Sequence, residues 1–184
     1  MIANSVNRES RILEAAGQMD RLPRRVLPPT SKESSGVVAF PENANIVPAN
    51  AAEQVVFDFR TQMGPTLDDC KRDYREHMTD DAVWDNVGFP VIQGIDNCIA
   101  HLDTLKQFTG MEYCTIEIYN LASIGNVVLT ERLDTMYRDD DSVILPYRIM
   151  GAFEVRDGKI SRYTDYFDTE PTRQAFPQLF SRVG

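Results

Sequence analysis

Residues 126–137 have the sequence Asn-Val-Val-Leu-Thr-Glu-Arg-Leu-Asp-Thr-Met-Tyr, which follows the period of two that a β-strand gives its side chains. The same period predicts further strands over residues 112–122, 143–155 and 159–168. Short polar turns join these strands, and Asp157-Gly158 is the strongest hairpin signal among the turns. Strands that follow one another through hairpins form an antiparallel sheet. This half of the chain therefore predicts an antiparallel meander.

Helical patterns come before the meander. An apolar stripe with helical spacing begins near residue 51 and ends at Gly64-Pro65, a pair that stops a helix. The other predicted elements are helices over residues 67–77, 97–108 and 171–180 and a short strand over residues 81–86. Asp96 is the expected N-cap of the helix over residues 97–108. Helices followed by a meander indicate an α+β domain in which a curved, mostly antiparallel sheet wraps around the N-terminal helices.

The length and the distribution of proline indicate how the chain is divided. A chain of 184 residues that is 42% apolar can form one domain with a sizeable core. Five of the ten prolines lie before residue 50, in a stretch without periodic apolar residues. We therefore expect residues 1–50 to form a partly irregular N-terminal extension and residues 51–184 to form a single catalytic domain.

The charge of the chain argues against two classes of partner. Its 28 acidic residues exceed its 19 basic residues and give a net charge of −9. Nucleic acids and anionic membrane surfaces both require clustered Lys and Arg, so neither is expected as a partner. Residues 1–17 lack the apolar run of a secretory signal, and no later segment has the apolar length of a bilayer span. The sequence thus predicts a cytoplasmic protein that binds a small molecule.

The residues that usually hold cofactors are also missing from the sequence. The three cysteines are odd in number and have no C-x-x-C spacing, which is typical of reduced thiols in a reducing compartment. The two histidines form no metal-binding motif, and neither a P-loop nor a G-x-G-x-x-G turn is present. We expect no metal and no cofactor, so any chemistry would use side chains alone.

Charged residues occupy predicted strands that are otherwise half apolar. Arg132 and Asp134 are two residues apart and share one face, while Asp165 shares a face with Tyr163 and Phe167. An isolated buried carboxylate is too costly to keep charged, so Asp165 must be paired, protonated or functional. An ordinary ion pair between Arg132 and Asp134 is one interpretation. The other is an acid–base site in which a cation between two carboxylates separates their titrations.

The motif Thr-Glu-Arg132-Leu-Asp134, followed about thirty residues later by Asp165-Tyr-Phe-Asp168, resembles a known family when Trp84-Asp-Asn86 upstream is included. The family is that of limonene epoxide hydrolases, within the SnoaL and nuclear transport factor two-like superfamily. The resemblance covers about residues 52–170. It implies a cone-shaped α+β fold with a deep pocket, and a homodimer.

The resemblance also implies roles for individual residues. Asp165 would be the general base that takes a proton from water, and Asn86 would help to hold that water. Asp134 would protonate the epoxide oxygen, and Arg132 would pair with both carboxylates. Trp84 stands where the family usually has a tyrosine, and an indole can donate one hydrogen bond but accepts none.

That difference leaves other reactions open. In the same superfamily, cofactor-free lyases, isomerases and cyclases act on related pockets, so release of an aldehyde from an aromatic substrate is an alternative to epoxide hydrolysis. A non-catalytic small-molecule binding protein is a further alternative. For any of these functions we expect a small apolar or aromatic guest, contacted by Trp84, Tyr147, Tyr163 and Phe167.

Overall fold

The computed structural model describes residue 43 and residues 45–180. Its elements in chain order are α1 (Ala51–Thr61), α2 (Leu67–His77), β1 (Met78–Asn86), β2 (Ile92–Gln93), α3 (Ile95–Thr109), β3 (Tyr113–Ile124), β4 (Val127–Tyr137), β5 (Val143–Arg156), β6 (Lys159–Tyr166), α4 (Glu170–Ala175) and a 3₁₀ helix (Pro177–Phe180). Most of the predicted extension over residues 1–50 lies outside the described residues, so its boundary stays a prediction.

The six strands form one curved, unclosed sheet in the order β2-β1-β6-β5-β4-β3. Strands β3 to β6 are antiparallel neighbours in sequence order, as their hairpin turns predict. Strand β1 adds to the other side of β6 and runs parallel to it, with Trp84 opposite Tyr163 and Asn86 opposite Asp165. The predicted α+β class with a mostly antiparallel sheet is confirmed.

Helix α1 packs its apolar stripe against the inner face of the sheet. The side chain of Asn50 accepts a hydrogen bond from the backbone N–H of Glu53 at 3.0 Å and thereby caps the helix. Val56 and Phe59 on this helix are fully buried, and they meet Phe153 and Ile160 of the sheet in one hydrophobic core. Burial of the stripe, more than helix propensity, holds an 11-residue helix in place.

The described helices are short. The longest, α3, has 15 residues, whereas a bilayer span needs about 20 consecutive apolar residues. Within residues 43 and 45–180, no helix combines the length and the apolar character needed to cross a membrane.

Three predicted boundaries are wrong. Asp96 is not the N-cap of α3, because Gly94 takes that position with φ of 85° and makes no side-chain cap bond. Strand β1 begins at Met78, three residues before the predicted start, because it follows α2 without a loop. The predicted helix over residues 171–180 is interrupted at Phe176, since Pro177 disfavours helical backbone before it and brings no N–H donor.

The described end of the predicted extension is tied to the sheet. The side-chain amide of Asn43 donates to the backbone oxygen of Ile116 at 3.0 Å, and its oxygen accepts from the N–H of Ile118 at 2.8 Å. These bonds occupy backbone groups of β3, which is an edge strand.

Candidate active site

Arg132 joins two carboxylates inside the sheet. Its side chain is fully buried on the inner face of β4, where Nε donates to the two oxygens of Asp134 at 2.9 and 3.1 Å. Nη2 donates to Oδ2 of Asp165 on β6, and Nη1 donates to Oγ1 of Thr130 at 3.0 Å. The strand period places Thr130, Arg132 and Asp134 on one face, so the guanidinium reaches both neighbours on its own strand.

Strand β5 lies between β4 and β6, and Gly151 lets the guanidinium pass over it. Gly151 is paired with Thr130 on one side and with Asp165 on the other. A Cβ at this position would overlap Nη1 of Arg132 and would lie 2.7 Å from Oγ1 of Thr130 and 2.9 Å from Oδ1 of Asp165. The absence of a side chain at Gly151 is therefore a condition for the bridge between β4 and β6.

The two oxygens of Asp165 have different surroundings. Oδ2 accepts from Arg132 and also from the hydroxyl of Tyr163 at 2.5 Å. Oδ1 is buried and has no hydrogen-bond partner among the residues that the structure describes. A carboxylate with one oxygen fixed and the other unoccupied is arranged to accept a proton from a bound molecule.

Trp84 and Asn86 of β1 stand beside this carboxylate. The indole of Trp84 stacks on the ring of Tyr163 with the centroids 5.7 Å apart, and its Nε1 donates to Oδ1 of Asn86 at 3.2 Å. The parallel register sets Asn86 opposite Asp165. Because this bond directs the oxygen of Asn86 toward Trp84, the NH₂ group of Asn86 is a donor that other partners can use.

These side chains line a cavity of about 120 Å³. That volume is close to the roughly 150 Å³ that accommodates a benzene ring in a protein core. Tyr147 and Phe167 form part of the wall, with their rings edge to face and 5.3 Å between centroids. The lining includes seven of the eight residues expected at the site, namely Trp84, Asn86, Asp134, Tyr147, Tyr163, Asp165 and Phe167. The eighth, Arg132, is not part of the lining but forms ion pairs with both aspartates.

Burial and neighbouring charges shift the pKa values of three groups in the site. Burial raises the pKa of Asp134 above its ordinary value, although the guanidiniums of Arg132 and Arg60 offset part of this rise. Burial alone would lower the pKa of Arg132, but Asp134 and Asp165 outweigh it and raise the pKa well above the usual value. Burial also raises the pKa of Tyr163, so its phenol remains a hydrogen-bond donor to Asp165.

Sequence reasoning missed four residues of the site. Thr130 and Gly151 support the bridge, while Arg60 and His101 line the cavity. A glycine inside a strand pattern is a signal of close approach and could have identified Gly151. Arg60 follows Phe59 on a helix with a buried stripe, but nothing in the sequence shows that its charge turns inward. Burial lowers the pKa of His101 to about 4 and keeps its ring neutral.

Within the described part of the chain, no group of three or more His, Cys, Asp and Glu side chains is arranged to bind a metal ion.

A sequence profile of the limonene-1,2-epoxide hydrolase catalytic domain matches residues 52–177, which is more than half of the chain. The chain belongs to this family. The match includes every residue of the site described above, and it confirms the resemblance expected from the Arg132-Leu-Asp134 and Asp165 motifs.

Epoxide hydrolases of Mycobacterium tuberculosis are similar to this chain in sequence and in structure. Epoxide hydrolase EphG of Mycobacterium tuberculosis is 37% identical over 95 residues, which cover 50% of this chain and 58% of EphG. The chain thus matches less than two thirds of the length of that relative. The structure of an LEH-like epoxide hydrolase of M. tuberculosis superposes with a TM-score of 0.56 at 26% identity and covers 70% of this chain and 91% of that one.

More distant structures share only the fold. A SnoaL-like protein from Jannaschia sp. CCS1 superposes with a TM-score of 0.56 at 18% identity, over 68% of this chain and 91% of that one. At this identity the similarity concerns the curved sheet and its helices, not the chemistry within them.

Proposed function

We propose that this protein is a cofactor-independent epoxide hydrolase that opens a small apolar or aromatic epoxide by general acid–base catalysis. The observation that carries the proposal is the Asp134–Arg132–Asp165 bridge at the wall of an aromatic cavity, with Oδ1 of Asp165 left without a partner. Family membership and the similarity to EphG support the same reaction.

Asp165 is the base in this proposal. Its unpartnered Oδ1 takes a proton from a water molecule, and the water oxygen attacks one carbon of the epoxide. The bond between that carbon and the ring oxygen breaks as the new C–O bond forms. Arg132 and Tyr163 hold Oδ2 and fix the carboxylate, so that Oδ1 faces the water throughout.

Asp134 is the acid in this proposal. Its raised pKa favours the protonated form, which can donate a proton to the oxygen released from the epoxide. The products are a diol, an ionised Asp134 and a protonated Asp165, so the atoms of one water molecule are added to the substrate. Proton exchange with solvent restores the starting state.

Trp84 takes a different part from the tyrosine usual in the family. It does not need to contact the water, because its N–H occupies the oxygen of Asn86 and turns the NH₂ group of Asn86 toward the other partners. That NH₂ group donates to the water oxygen and leaves the two water protons free to point elsewhere. One of them points to Asp165.

Cofactor-free cleavage of a carbon–carbon bond with release of an aldehyde is the second candidate. Trp84 in place of the family's tyrosine favours it, because the water site then has one direct ligand fewer. The aromatic wall formed by Tyr147 and Phe167 suits an aromatic substrate in either reaction.

Hydrolysis in water enriched in ¹⁸O tests the proposal. Purified protein is incubated with a panel of epoxides, and mass spectrometry of the products is expected to show one labelled oxygen in a diol. Asp165→Asn and Asp134→Asn are each expected to lower kcat by roughly 10²–10⁴-fold, the usual contribution of a positioned acid or base. Asp68→Asn, at an exposed position on α2, is the matched control and is expected to retain activity.

The other outcomes separate the alternatives. Near-normal turnover in both variants would contradict the mechanism. Aldehyde release from an aromatic diol, without diol formation from epoxides, would identify the lyase. Saturable binding of apolar guests without any product would identify a binding protein.

A further inference from the structure

Arg60 is a second buried guanidinium in the same cavity. It lies in α1, is 3% exposed and belongs to the cavity lining, but it takes no part in the bridge between Asp134 and Asp165. Its Nε and Nη2 are buried without a hydrogen-bond partner among residues 43 and 45–180. A buried charged donor without an acceptor is costly, and such a group calls for an explanation.

Three aromatic rings contact the guanidinium of Arg60, but two of its nitrogens are still without a hydrogen-bond acceptor among the described residues. Its Cζ lies 4.1 Å from the ring centroid of Tyr163, 4.4 Å from that of Phe59 and 5.2 Å from that of Phe153. Such cation–π contacts favour the charge of the guanidinium. No oxygen or nitrogen of the described residues accepts a hydrogen bond from Nε or Nη2, so these two donors are left for another molecule.

Arg60 is charged at every pH at which the protein would work. Burial lowers the pKa of Arg60, and Arg132 lowers it further, but Tyr163, Tyr74 and Asp165 outweigh both and the pKa ends above its ordinary value. The positive charge is therefore a permanent property of the cavity.

The charges around the cavity do not cancel when Asp134 is protonated. Arg60 and Arg132 then contribute two positive charges, and Asp165 contributes one negative charge. Of the other acids nearby, Glu112 pairs with Lys106 at 2.5 Å. Asp73 lies outside the cavity lining, with Oδ1 2.9 Å from Nδ1 of His77. With Asp134 protonated, the groups at the cavity thus carry more positive than negative charge, and Arg60 also has N–H donors without acceptors among the described residues.

We infer that Arg60 binds an anionic oxygen group of the substrate, a carboxylate or phenolate attached to the ring that occupies the cavity. This inference rests on the proposed function and narrows its substrate class to an aromatic epoxide with an acidic substituent. Two N–H groups of Arg60 donate hydrogen bonds to that substituent, in the bidentate fork that guanidinium groups form with carboxylates. The ring of the substrate then lies among the aromatic side chains, and its epoxide lies at Asp134 and Asp165.

The test compares two substrates and one unreactive ligand. The substrates are styrene oxide and its 4-carboxylate derivative, and the ligand is benzoate. In the wild type, kcat/KM is expected to be at least about tenfold higher for the carboxylate, the factor given by one charge-assisted hydrogen bond. Arg60→Met is expected to remove that preference, and Arg60→Lys, which keeps the charge without the fork, is expected to restore part of it.

Binding of benzoate, measured by calorimetry, gives a readout that needs no turnover. Benzoate is expected to bind the wild type and to lose at least about tenfold in affinity with Arg60→Met. Arg72→Met, on the exposed side of α2, is the matched control and should change neither the preference nor the affinity. Circular dichroism establishes that each variant is folded.

The outcomes are decisive in both directions. Equal loss of both substrates with Arg60→Met, or benzoate binding that does not depend on Arg60, would overturn the inference. Arg60-dependent binding of benzoate in a protein that hydrolyses no epoxide would retain the anion site and refute the reaction instead. If Arg60→Met is unfolded, benzoate affinity in Arg60→Lys decides, because an unchanged affinity there would contradict the fork.

Discussion

Asp134 is protonated more readily than an ordinary aspartate because burial disfavours its charge more than Arg132 and Arg60 favour it. As the proposed acid, it must hold its proton before each turnover. We expect kcat/KM to decline as the pH rises through the raised pKa of Asp134. A pH profile of kcat/KM measured with a fixed epoxide checks this, and a profile with no decline on the alkaline side would contradict it.

The same group links stability to pH. Because the pKa of Asp134 is higher in the folded than in the unfolded chain, its favourable contribution is complete below the unfolded pKa and is lost as the pH rises through the folded pKa. Asp134→Asn cannot titrate and lacks this dependence. The free energy of unfolding of the wild type, measured against Asp134→Asn by urea denaturation, should therefore decrease over that pH interval.

Trp84 and Asn86 should act as one unit. Trp84→Phe retains a ring to stack on Tyr163 but removes the N–H that orients the amide of Asn86. We expect kcat to fall by about tenfold, the equivalent of one hydrogen bond. In a double-mutant cycle, Trp84→Phe should cost little more once Asn86→Ala is present. Fully additive losses would show that Trp84 acts independently of Asn86.

At the scale of the elements, β5 contributes to the site through Gly151, which has no side chain that would block the bridge between β4 and β6. Gly151→Ala would set a methyl group against the guanidinium of Arg132, which is fully buried and cannot shift without breaking its hydrogen bonds to both aspartates. We expect kcat to fall by at least about 100-fold, because a displaced bridge misplaces both carboxylates. Ala152→Ser, on the opposite face of the same strand, is the control. Normal turnover in Gly151→Ala would show that the bridge is not needed.

The part of the fold that could be predicted from the sequence is the part that local patterns specify. Hairpin turns and the period of two predicted β3 to β6, and the shared face of Arg132 and Asp134 followed from that period alone. The parallel pairing of β1 with β6 was not predictable, because it joins residues about 80 positions apart and no local signal specifies it. That pairing is what brings Asn86 to Asp165.

Some residues of the site could also be predicted from the sequence, and others could not. Asp165 was identifiable as an acid between two aromatic residues, but its distance from Arg132 depends on the register of three strands. The burial of Arg60 could not be predicted, because a charged residue on an amphipathic helix normally faces solvent. Only the packed structure shows that this side chain is turned inward.

For the whole molecule, the expected homodimer stays a prediction, and the outer face of the sheet is the surface at which we would test it. Leu129, Met150 and Tyr166 lie on the outer face of three adjacent strands, and Met150 and Tyr166 are more than half exposed. Neighbouring exposed apolar side chains on a sheet favour burial against a second copy. We expect light scattering to give the mass of a dimer, and Met150→Glu to give a monomer. Val47→Glu, at another exposed apolar position, should remain dimeric, and a monomeric wild type would refute the interface.

The parallel pairing of β1 with β6 also has a consequence for biosynthesis. A ribosome makes β6 after the other five strands. Between the synthesis of Asp134 and that of Asp165, the guanidinium of Arg132 therefore has only one of its two acidic partners, and β1 has no partner on the side where β6 will pair. Long-range pairing of this kind is slow to form and leaves strand edges exposed in the meantime. Nascent chains halted before residue 159 should therefore engage chaperones, whereas chains released past residue 180 should acquire protease resistance and the complete ion bridge in a single step.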